Sequence, residues 1–260
     1  MTPVCYFGDD DITRAAAYLC GVLQHFGIDY DHVNSGHAPS ADFMERDYGL
    51  YIVSDYPYVR FEDEHIEHIQ RAVRLGAGLL MVGGWESFYG LMGEYHGSKF
   101  ADMLPVVMQT KDDRHNCPQP VYLRTAATGL EHPILANLNW ERPPAIGGFN
   151  AFTPKAGAKL LLEGVVADVR NTPERALTIT AGAVYPMLVE GHYGSGRTAA
   201  LACDVAPHWV GQMVDWGGKR ITQQLRTPDD KPCGFVEFGD AYAKFLKQMF
   251  DYLVKPTGVK

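Results

Sequence analysis

Short apolar runs alternate with amphipathic stretches along the first third of the chain. Four of these runs have the length of buried parallel strands, at residues 4–8, 30–33, 50–53 and 79–82. Two stretches between them, residues 12–27 and 62–75, repeat apolar side chains at helical spacing and are closed by glycines. This alternation predicts a right-handed, doubly wound parallel sheet.

The fourth run ends abruptly in a glycine pair followed by Trp-Glu-Ser, within Gly78–Gly90 (GLLMVGGWESFYG). In open α/β sheets, ligands bind just beyond the carboxyl ends of such strands. Glycines permit a tight turn and a close approach of backbone to ligand. The segment therefore predicts the position of a binding site.

After residue 90 the pattern changes. Three further strands are predicted at residues 158–163, 185–190 and 198–203, and the hairpin-like composition of residues 191–196 predicts that the last two are antiparallel. Residues 99–106 predict a short helix, and residues 140–152, rich in Pro and Gly, predict an ordered surface loop. An irregular region after Asp204 and a final amphipathic helix at residues 238–254 complete the expected organisation.

The composition is ordinary for a globular protein of 260 residues, with 46% apolar residues and a net charge of −8. The absence of any Lys/Arg block argues against nucleic acid or an anionic membrane as a partner. With no linker-like segment, one domain spanning residues 1–260 is expected, and a homo-oligomer is compatible with this organisation.

The five cysteines are scattered and none forms a CxxC pair, which favours reduced thiols. The N-terminal segment has no basic region followed by an apolar one, and no apolar run has the length of a membrane span. A cytoplasmic location is therefore expected.

Three segments, residues 51–57 (YIVSDYP), 73–106 with its GGWESF motif, and 191–209 with its DVAPHW motif, resemble the class I glutamine amidotransferase-like family, which is related to ThuA-like proteins. The resemblance covers most of the chain in order. It implies a flavodoxin-like three-layer α/β/α sandwich with a mainly parallel sheet and a late antiparallel extension.

Class I amidotransferases, as the resemblance implies, carry a cysteine nucleophile on a GxCxG elbow between strand and helix. Small residues flank such a nucleophile because a sharp elbow leaves no room for side chains. Here the corresponding strand ends in Gly83-Gly84-Trp85-Glu86, and no cysteine occurs between Asp29 and Asn116. Glutaminase activity is therefore not expected.

The elbow residues have several possible roles. Ser87 could replace the nucleophile, but it lacks the flanking glycines of a serine elbow, which favours a capping or turn hydroxyl. Gly83 and Gly84 serve backbone geometry, and their N–H groups could be free to bind an anion or a carbonyl oxygen. Glu86 could act as an acid or base, or be a solvated first-turn glutamate, and Trp85 could stack on a ligand or close over the core.

The other candidates follow later strands. Asp204 and His208 could form a proton-transfer pair, or hold loops by hydrogen bonds. Asp55, after the third strand, faces the same edge of the sheet, and a pocket at this edge would also include Tyr56 and Trp209. The loop at residues 146–149 could cover its mouth.

No metal or cofactor is expected. Histidines and cysteines lack the spacing of a metal site, and neither a P-loop nor a GxGxxG motif is present. Asp9, Asp10 and Asp11 follow the first strand and could hold Mg²⁺, but capping of the next helix is the favoured interpretation.

Three functions are compatible with these observations. The first is an amidotransferase-like protein without glutaminase activity that binds a small polar metabolite. The second is a hydrolase or isomerase of a small, sugar-like substrate that uses Glu86 or Asp204 with His208, with residual glutamine hydrolysis by Cys203 as a variant. The third is a structural subunit that self-associates through exposed aromatic residues.

Overall fold

The computed structural model describes residues 2–174 and 176–254. In chain order the strands are β1 (Val4–Gly8), β2 (Tyr30–Val33), β3 (Leu50–Ser54), β4 (Gly78–Val82), β5 (Val106–Met108), β6 (Arg114–Thr125), β7 (Ala145–Asn150), β8 (Phe152–Pro154), β9 (Lys159–Asn171), β10 (Leu177–Tyr193), β11 (Gly196–Leu201), β12 (Arg220–Arg226) and β13 (Pro232–Gly239). The helices are α1 (Ala17–His25), α2 (Ala41–Glu45), α3 (Asp63–Leu75), α4 (Pro207–Val210) and α5 (Asp240–Leu253). Short 3₁₀ turns lie at Tyr58–Arg60, Ala101–Met103, Ala127–Gly129, Pro133–Leu135 and Gly211–Asp215.

Nine strands form one mixed sheet in the order β2-β1-β3-β4-β11-β10-β9-β6-β7. The pairs from β2 to β11 are parallel, and the pairs from β11 to β7 are antiparallel. The predicted α/β alternation of the first half is confirmed. The expectation of a mainly parallel sheet is wrong, because half of the neighbouring pairs are antiparallel. Parallel pairing needs a long crossover, whereas a tight turn such as the one joining β10 to β11 produces an antiparallel pair.

The core lies along the parallel strands. Every residue of β1, β3 and β4 is buried, which explains why these strands read as continuous apolar runs. Helix α3 buries Ile66, Ile69 and Val73, while α5 buries a longer apolar stripe and contacts α1. The amphipathic periodicity of both helices therefore faces this core.

Residues 140–152 do not form the predicted surface loop. Within them, Ala145–Asn150 is the edge strand β7, which pairs with β6 and is buried except at Gly147. Gly148 lies against the indole of Trp209, where a Cβ atom would come within 2.4 Å of the ring. Gly148 therefore reflects close packing within a strand rather than a turn, and the predicted cover over the pocket is absent from residues 146–149.

The region after Asp204 is also more regular than predicted. It contains the short helix α4 and the hairpin β12–β13, which packs on α1. The hairpin buries Leu225, Val236 and Phe238 and exposes the residues between them, which is the alternation of a half-buried ribbon. Residues 99–106 form one 3₁₀ turn and the start of β5 instead of a helix.

None of the helices in the described part of the chain has the length and apolar character that a membrane span requires. All five cysteines are free thiols, as the scattered spacing predicted, and Cys5, Cys20 and Cys203 are buried.

The packing of β7 predicts unequal costs for two adjacent substitutions. Gly148→Ala places a methyl group against the Trp209 indole, and overpacking of this kind costs about 1–3 kcal/mol. Gly147→Ala is the matched control, because the nearest atom to its Cβ would be 3.8 Å away. Urea denaturation should show a lower midpoint for Gly148→Ala only. Equal midpoints for the two variants would contradict the packing described here.

Candidate functional site

Two glycines hold the loop after β4 close to its neighbours. A Cβ atom at Gly83 would lie 1.9 Å from the carbonyl oxygen of Ala202, and one at Gly84 would lie 2.0 Å from Oδ1 of Asp55. Both N–H groups are engaged: Gly83 donates to a carbonyl oxygen of β11 (2.7 Å), and Gly84 donates to Oδ1 of Asn150 (2.8 Å). The expectation that these N–H groups are free to bind an anion is therefore wrong.

Asp55 follows β3 and interlocks with the Trp-Glu-Ser segment. Its Oδ1 accepts a hydrogen bond from the N–H of Glu86 (2.8 Å), and its own N–H donates to Oγ of Ser87 (3.0 Å). Ser87 is fully buried, so its hydroxyl supports the Asp55 backbone instead of facing a substrate. Glu86 is half-buried, and burial raises its pKa while the positive charge of Arg60 lowers it.

The three aromatic residues predicted to bind a ligand lie in different environments. Trp85 is 42% exposed, and the guanidinium of Arg114 lies over its ring at 4.7 Å. Tyr56 is fully buried, and its hydroxyl donates to a backbone carbonyl oxygen at 2.7 Å. Trp209 is buried and donates from Nε1 to Oδ1 of Asn116 (2.8 Å). Of the three, Trp85 presents its ring at the surface, and the other two belong to the core.

Asp9 follows β1 and points into the protein. It is buried, its N–H donates to the carbonyl oxygen of Ser54 (2.8 Å), and its carboxylate accepts a hydrogen bond from the hydroxyl of Tyr6. The predicted capping of the next helix by this aspartate run is wrong, because α1 begins at Ala17 and no side chain caps its first turn. The two neighbouring aspartates instead bond the turn that precedes α1. Asp10 accepts from the backbone N–H at position 15, and Asp11 accepts from the backbone N–H at position 13.

Asp204 lies just after β11, in the turn that leads to α4. It is buried, and its Oδ1 accepts a hydrogen bond from the N–H of Ala206 (2.7 Å). His208 is exposed on α4, and no hydrogen bond or ion pair in the described residues joins its imidazole to Asp204 or Glu86. The structure therefore does not assemble the predicted proton-transfer pair.

Three aspartates at this edge of the sheet perturb one another. Burial and, next, the negative charge of Asp55 together raise the pKa of Asp9 to about 8. Burial, with a contribution from the charge of Glu86, raises the pKa of Asp55 to about 7. The pKa of Asp204 is well above its usual range because the group is buried and faces the charges of Asp55 and Asp9. Like charges in low dielectric favour shared protons, so this cluster retains protons near neutral pH.

Ser54 adds an unsatisfied polar group to the cluster. Its side chain is fully buried at the end of β3, close enough to Asp9 to lower the pKa of that carboxyl group. Its Oγ nevertheless has no hydrogen-bond partner of good geometry within the described ranges. Buried hydroxyl groups are nearly always paired, so this oxygen is an exception within the buried cluster.

A second network ties the loop after β4 to the antiparallel half of the sheet. The Nδ2 group of Asn150 donates to the carbonyl oxygen of Gly84 (3.1 Å) and to Oδ1 of Asp113 (2.8 Å). Asp113 in turn accepts from the N–H groups of Tyr89 (2.9 Å) and Gly90 (3.1 Å). Because Asn150 and Asp113 are both buried, this network holds the loop after β4 against the antiparallel half of the sheet.

Cys203 is the thiol nearest in sequence to the site. It is buried, and its Sγ donates to the carbonyl oxygen of Asp204 (2.8 Å). Burial raises its pKa well above the usual thiol value, and the neighbouring Asp204 charge adds to the effect. The thiolate is the nucleophilic form, so this environment disfavours a catalytic role.

A cleft of about 1190 Å³ lies elsewhere, beside the edge strand β2. Its lining includes Asp10, Asp11, Arg46 and Arg226, but not Asp55, Glu86 or Asp204. The arginines of the cleft are already neutralised: Arg46 pairs with Asp31 (2.7 Å), and Arg226 pairs with Asp230. We place the candidate site at the buried carboxyl groups, where polar groups remain unsatisfied, rather than in this cleft.

Sequence reasoning missed four residues of the site: Asp9, Ser54, Asp113 and Asn150. A signal for two of them was present, because β1, β3 and β11 are each followed by a small residue and an aspartate, in FGD, VSD and ACD. Asp113 and Asn150 had no such signal, since they meet the loop only through strand pairing.

Among the described residues, no group of His, Cys, Asp and Glu side chains is arranged to hold a metal ion. The position of the aspartates instead follows the topology of the sheet. Strand order reverses between β1 and β3, and ligands of open α/β sheets bind at the crevice outside the strand ends at such a point.

Comparisons with known proteins match both the sequence and the fold. A model of the family described as "Putative glutamine amidotransferase" matches residues 52–223, more than half of the 260-residue chain. A search of curated proteins gave no match.

Several solved structures share the fold. Two proteins of Salmonella typhimurium, described as cytoplasmic proteins STM3548 and STM1381, are 21% and 22% identical to this chain, each with a TM-score of 0.71. The alignments cover 98% and 97% of this chain and 100% of each of those proteins. A ThuA-like protein from Bacteroides uniformis is 13% identical to this chain, with a TM-score of 0.54. That alignment covers 97% of this chain and 91% of the ThuA-like protein. At these identities the likeness concerns the fold.

The raised pKa of Asp9 predicts a pH dependence of stability. Because the folded state keeps a proton that the unfolded chain releases near about pH 4, the free energy of unfolding should fall as the pH rises. The contribution is fully present below the unfolded pKa and is lost as the pH passes through about 8. Urea denaturation at several pH values should show a smaller decline for Asp9→Asn than for the wild type.

Asp11→Asn is the control for this measurement, because Asp11 is exposed and its pKa is lowered by hydrogen bonds from Thr13. Asp11→Asn should keep the wild-type decline in the free energy of unfolding between about pH 4 and about pH 8. An Asp9→Asn protein with the wild-type pH dependence would contradict the assignment of the proton to this cluster.

Proposed function

The chain belongs to the family described as "Putative glutamine amidotransferase", and from this premise we propose that it is a member without glutaminase activity that binds a small polar molecule at the carboxyl ends of β1, β3 and β11. The proposed ligand is rich in hydrogen-bond donors, as are amines, amino sugars and polyols. Asp55, Glu86 and Trp85 would contact it first, because these side chains are at least partly exposed. Asp9 and Asp204 would form the floor of the site.

The observation that carries this proposal is the excess of acceptors over donors. Carboxyl groups of Asp9, Asp55 and Asp204 converge near the unpaired hydroxyl of Ser54. The N–H groups of the glycine pair, which would otherwise bind an anion, are engaged within the protein. A ligand that supplies N–H or O–H groups would satisfy the acceptor oxygens that these carboxyl groups keep even when they are protonated.

The absence of glutaminase activity is supported by the residues at the elbow. Gly84 and Trp85 stand where the family resemblance places a cysteine, and the fully buried Ser87 is engaged with Asp55. Cys203 lies on another strand end with its thiol donated to a backbone carbonyl oxygen. These groups provide neither a thiolate nor an oxyanion hole.

We also propose that the chain forms one flavodoxin-like domain with three layers and that the protein is cytoplasmic. The parallel strands follow the order β2-β1-β3-β4-β11, which corresponds to the flavodoxin-like order. Contact between α1 and α5 supports their placement in one layer. The relatives described as cytoplasmic proteins are consistent with the location.

A second candidate function is hydrolysis or isomerisation of the same class of ligand. The raised pKa values of Asp9 and Asp55 favour it, because a carboxyl group that titrates near neutral pH can donate or accept a proton during a reaction. In this form the carboxyl groups of Asp55 and Glu86 would replace the predicted pairing with His208. The backbone N–H of Glu86 donates to Asp55, which keeps the two residues together at the rim.

Thermal-shift measurements with a library of amines, amino sugars, polyols and carboxylates test the binding proposal. We expect stabilisation by donor-rich compounds, since a ligand at 100 times its Kd adds about 2.7 kcal/mol to the free energy of unfolding. Asp55→Asn should abolish the shift, because it removes a carboxylate acceptor at the mouth of the site.

Asp42→Asn is the matched control, since Asp42 is exposed and lines the cleft beside β2. Loss of the shift in Asp42→Asn with retention in Asp55→Asn would move binding to that cleft and contradict the proposal. Stabilisation by carboxylates alone would also contradict it.

A separate assay tests the absence of glutaminase activity. Ammonia release from glutamine should not exceed the uncatalysed rate, because the elbow carries no thiol and the Cys203 thiol is protonated. The Cys203→Ser protein should give the same result. Glutamine turnover by the wild type that disappears in Cys203→Ser would show that this thiol acts as a nucleophile.

A further inference from the structure

Strands β9 and β10 continue past their neighbours as a two-stranded ribbon. Residues 167–171 pair with residues 177–181, whereas β10 meets β11 only from Leu188 onward. The outer edge of β10 before Leu188 therefore has no strand beside it in the described part of the chain. We define the ribbon as residues 165–171 and 177–184.

A β-bulge keeps the apolar side chains of the ribbon on one face. The register shifts by one residue between Ala181 and Val184, so both of these residues face the same side as Ile179. On β9, Ala167 pairs with Ala181, Val165 pairs with Val184, and Val169 pairs with Ile179. Cross-strand partners share a face, so these residues form one apolar surface, and the opposite face carries pairs such as Thr180 with Asp168.

This apolar surface is open to solvent. Leu177 is 69% exposed, Ile179 is 60% exposed and Val184 is 45% exposed. The apolar surface continues onto the main sheet. Val184 pairs with Val165, and Val165 pairs with Tyr122, whose side chain is 38% exposed. An isolated two-stranded ribbon is marginally stable in water, and an exposed apolar patch of this kind marks an interaction surface.

The edge of the ribbon lacks the usual protection against pairing. Residues 177–187 (LTITAGAVYPM) contain no charged residue, and the single proline stands near the end where the strand enters the main sheet. Natural proteins protect an exposed edge strand with charges, prolines or a covering element. The absence of such charges indicates that the ribbon is covered in the assembled protein.

The charges around the surface fit a second copy of the same chain. The ribbon face is uncharged, although the whole chain carries a net charge of −8, so two copies can meet here without like-charge contact. At its border, Arg124 and Glu163 form an ion pair at 2.8 Å. A two-fold interface brings each patch against itself, and a border that holds both signs of charge is complementary to its own copy.

We propose that the apolar face of the ribbon is the interface of a homodimer in which two copies meet about a two-fold axis. The interface does not depend on the ligand proposed above, because the ribbon is separate from the aspartate cluster in the sheet. It gives the protein an assembly surface in which the exposed side chains of Leu177, Ile179 and Val184 are removed from water.

Sedimentation velocity of the full chain tests the proposal. We expect the wild type to sediment as a dimer of the 28.8 kDa chain. Ile179→Lys should weaken the dimer at least about 100-fold, because an unpaired ammonium buried in an apolar interface costs several kcal/mol. Leu75→Lys is the control, since Leu75 is 79% exposed at the end of α3, and it should leave the dimer intact.

Circular dichroism should show that Ile179→Lys retains the wild-type fold, because the side chain is mostly exposed in the monomer. Leu177→Lys provides a second test at the same face and should also give a monomer. A monomeric wild type, or a dimer that persists in both ribbon variants, would overturn the proposal. A trimer would overturn the two-fold arrangement.

Discussion

A carboxyl group removed from water keeps its proton unless hydrogen-bond donors replace the lost hydration, and Asp9, Asp55 and Asp204 are withdrawn from water together. Each follows a buried parallel strand, so the topology of the sheet determines where they meet. Tyr6 supplies a donor to Asp9, and backbone N–H groups supply others to Asp55 and Asp204. These donors do not fully replace the lost hydration, which explains the raised pKa values and is the basis of the proposal that the cluster binds a donor-rich ligand.

The remainder of the structure maintains this arrangement. Gly84 has no side chain because the Asp55 carboxylate occupies the space of its Cβ atom. Behind the loop, the buried Asn150 joins Gly84 to Asp113, so the antiparallel half of the sheet supports the site of the parallel half. Under the proposed function, this braced loop presents carboxyl groups where the family resemblance implies a thiol.

Patterns within one strand or helix predicted much of the fold. The strands that contain Val4, Leu50 and Leu79 were predicted because full burial leaves a continuous apolar run. Strand β7 was missed because the glycine pair at residues 147 and 148 looks like a loop in sequence, whereas Gly148 is required for close packing against Trp209.

The site was predicted less completely than the fold. Asp55, Glu86 and Asp204 were identified from their positions after strands. The aspartate run at residues 9–11 was assigned to a helix cap, but Asp9 is buried in the cluster and α1 has no side-chain cap. Contacts that depend on pairing between distant strands have no local signal. The expected pairing of His208 with Asp204 fails for another reason, because the imidazole is exposed on α4 while Asp204 is buried.

The central claim is that these aspartates hold protons near neutral pH. Infrared or carbon-13 NMR titration of the protein labelled at aspartate carboxyl groups measures this directly. The account predicts carboxyl groups that titrate with apparent pKa values of about 7 and about 8, and loss of the higher step in Asp9→Asn. If every aspartate in the wild type titrated below about pH 5, in the ordinary range for this side chain, the account would be contradicted.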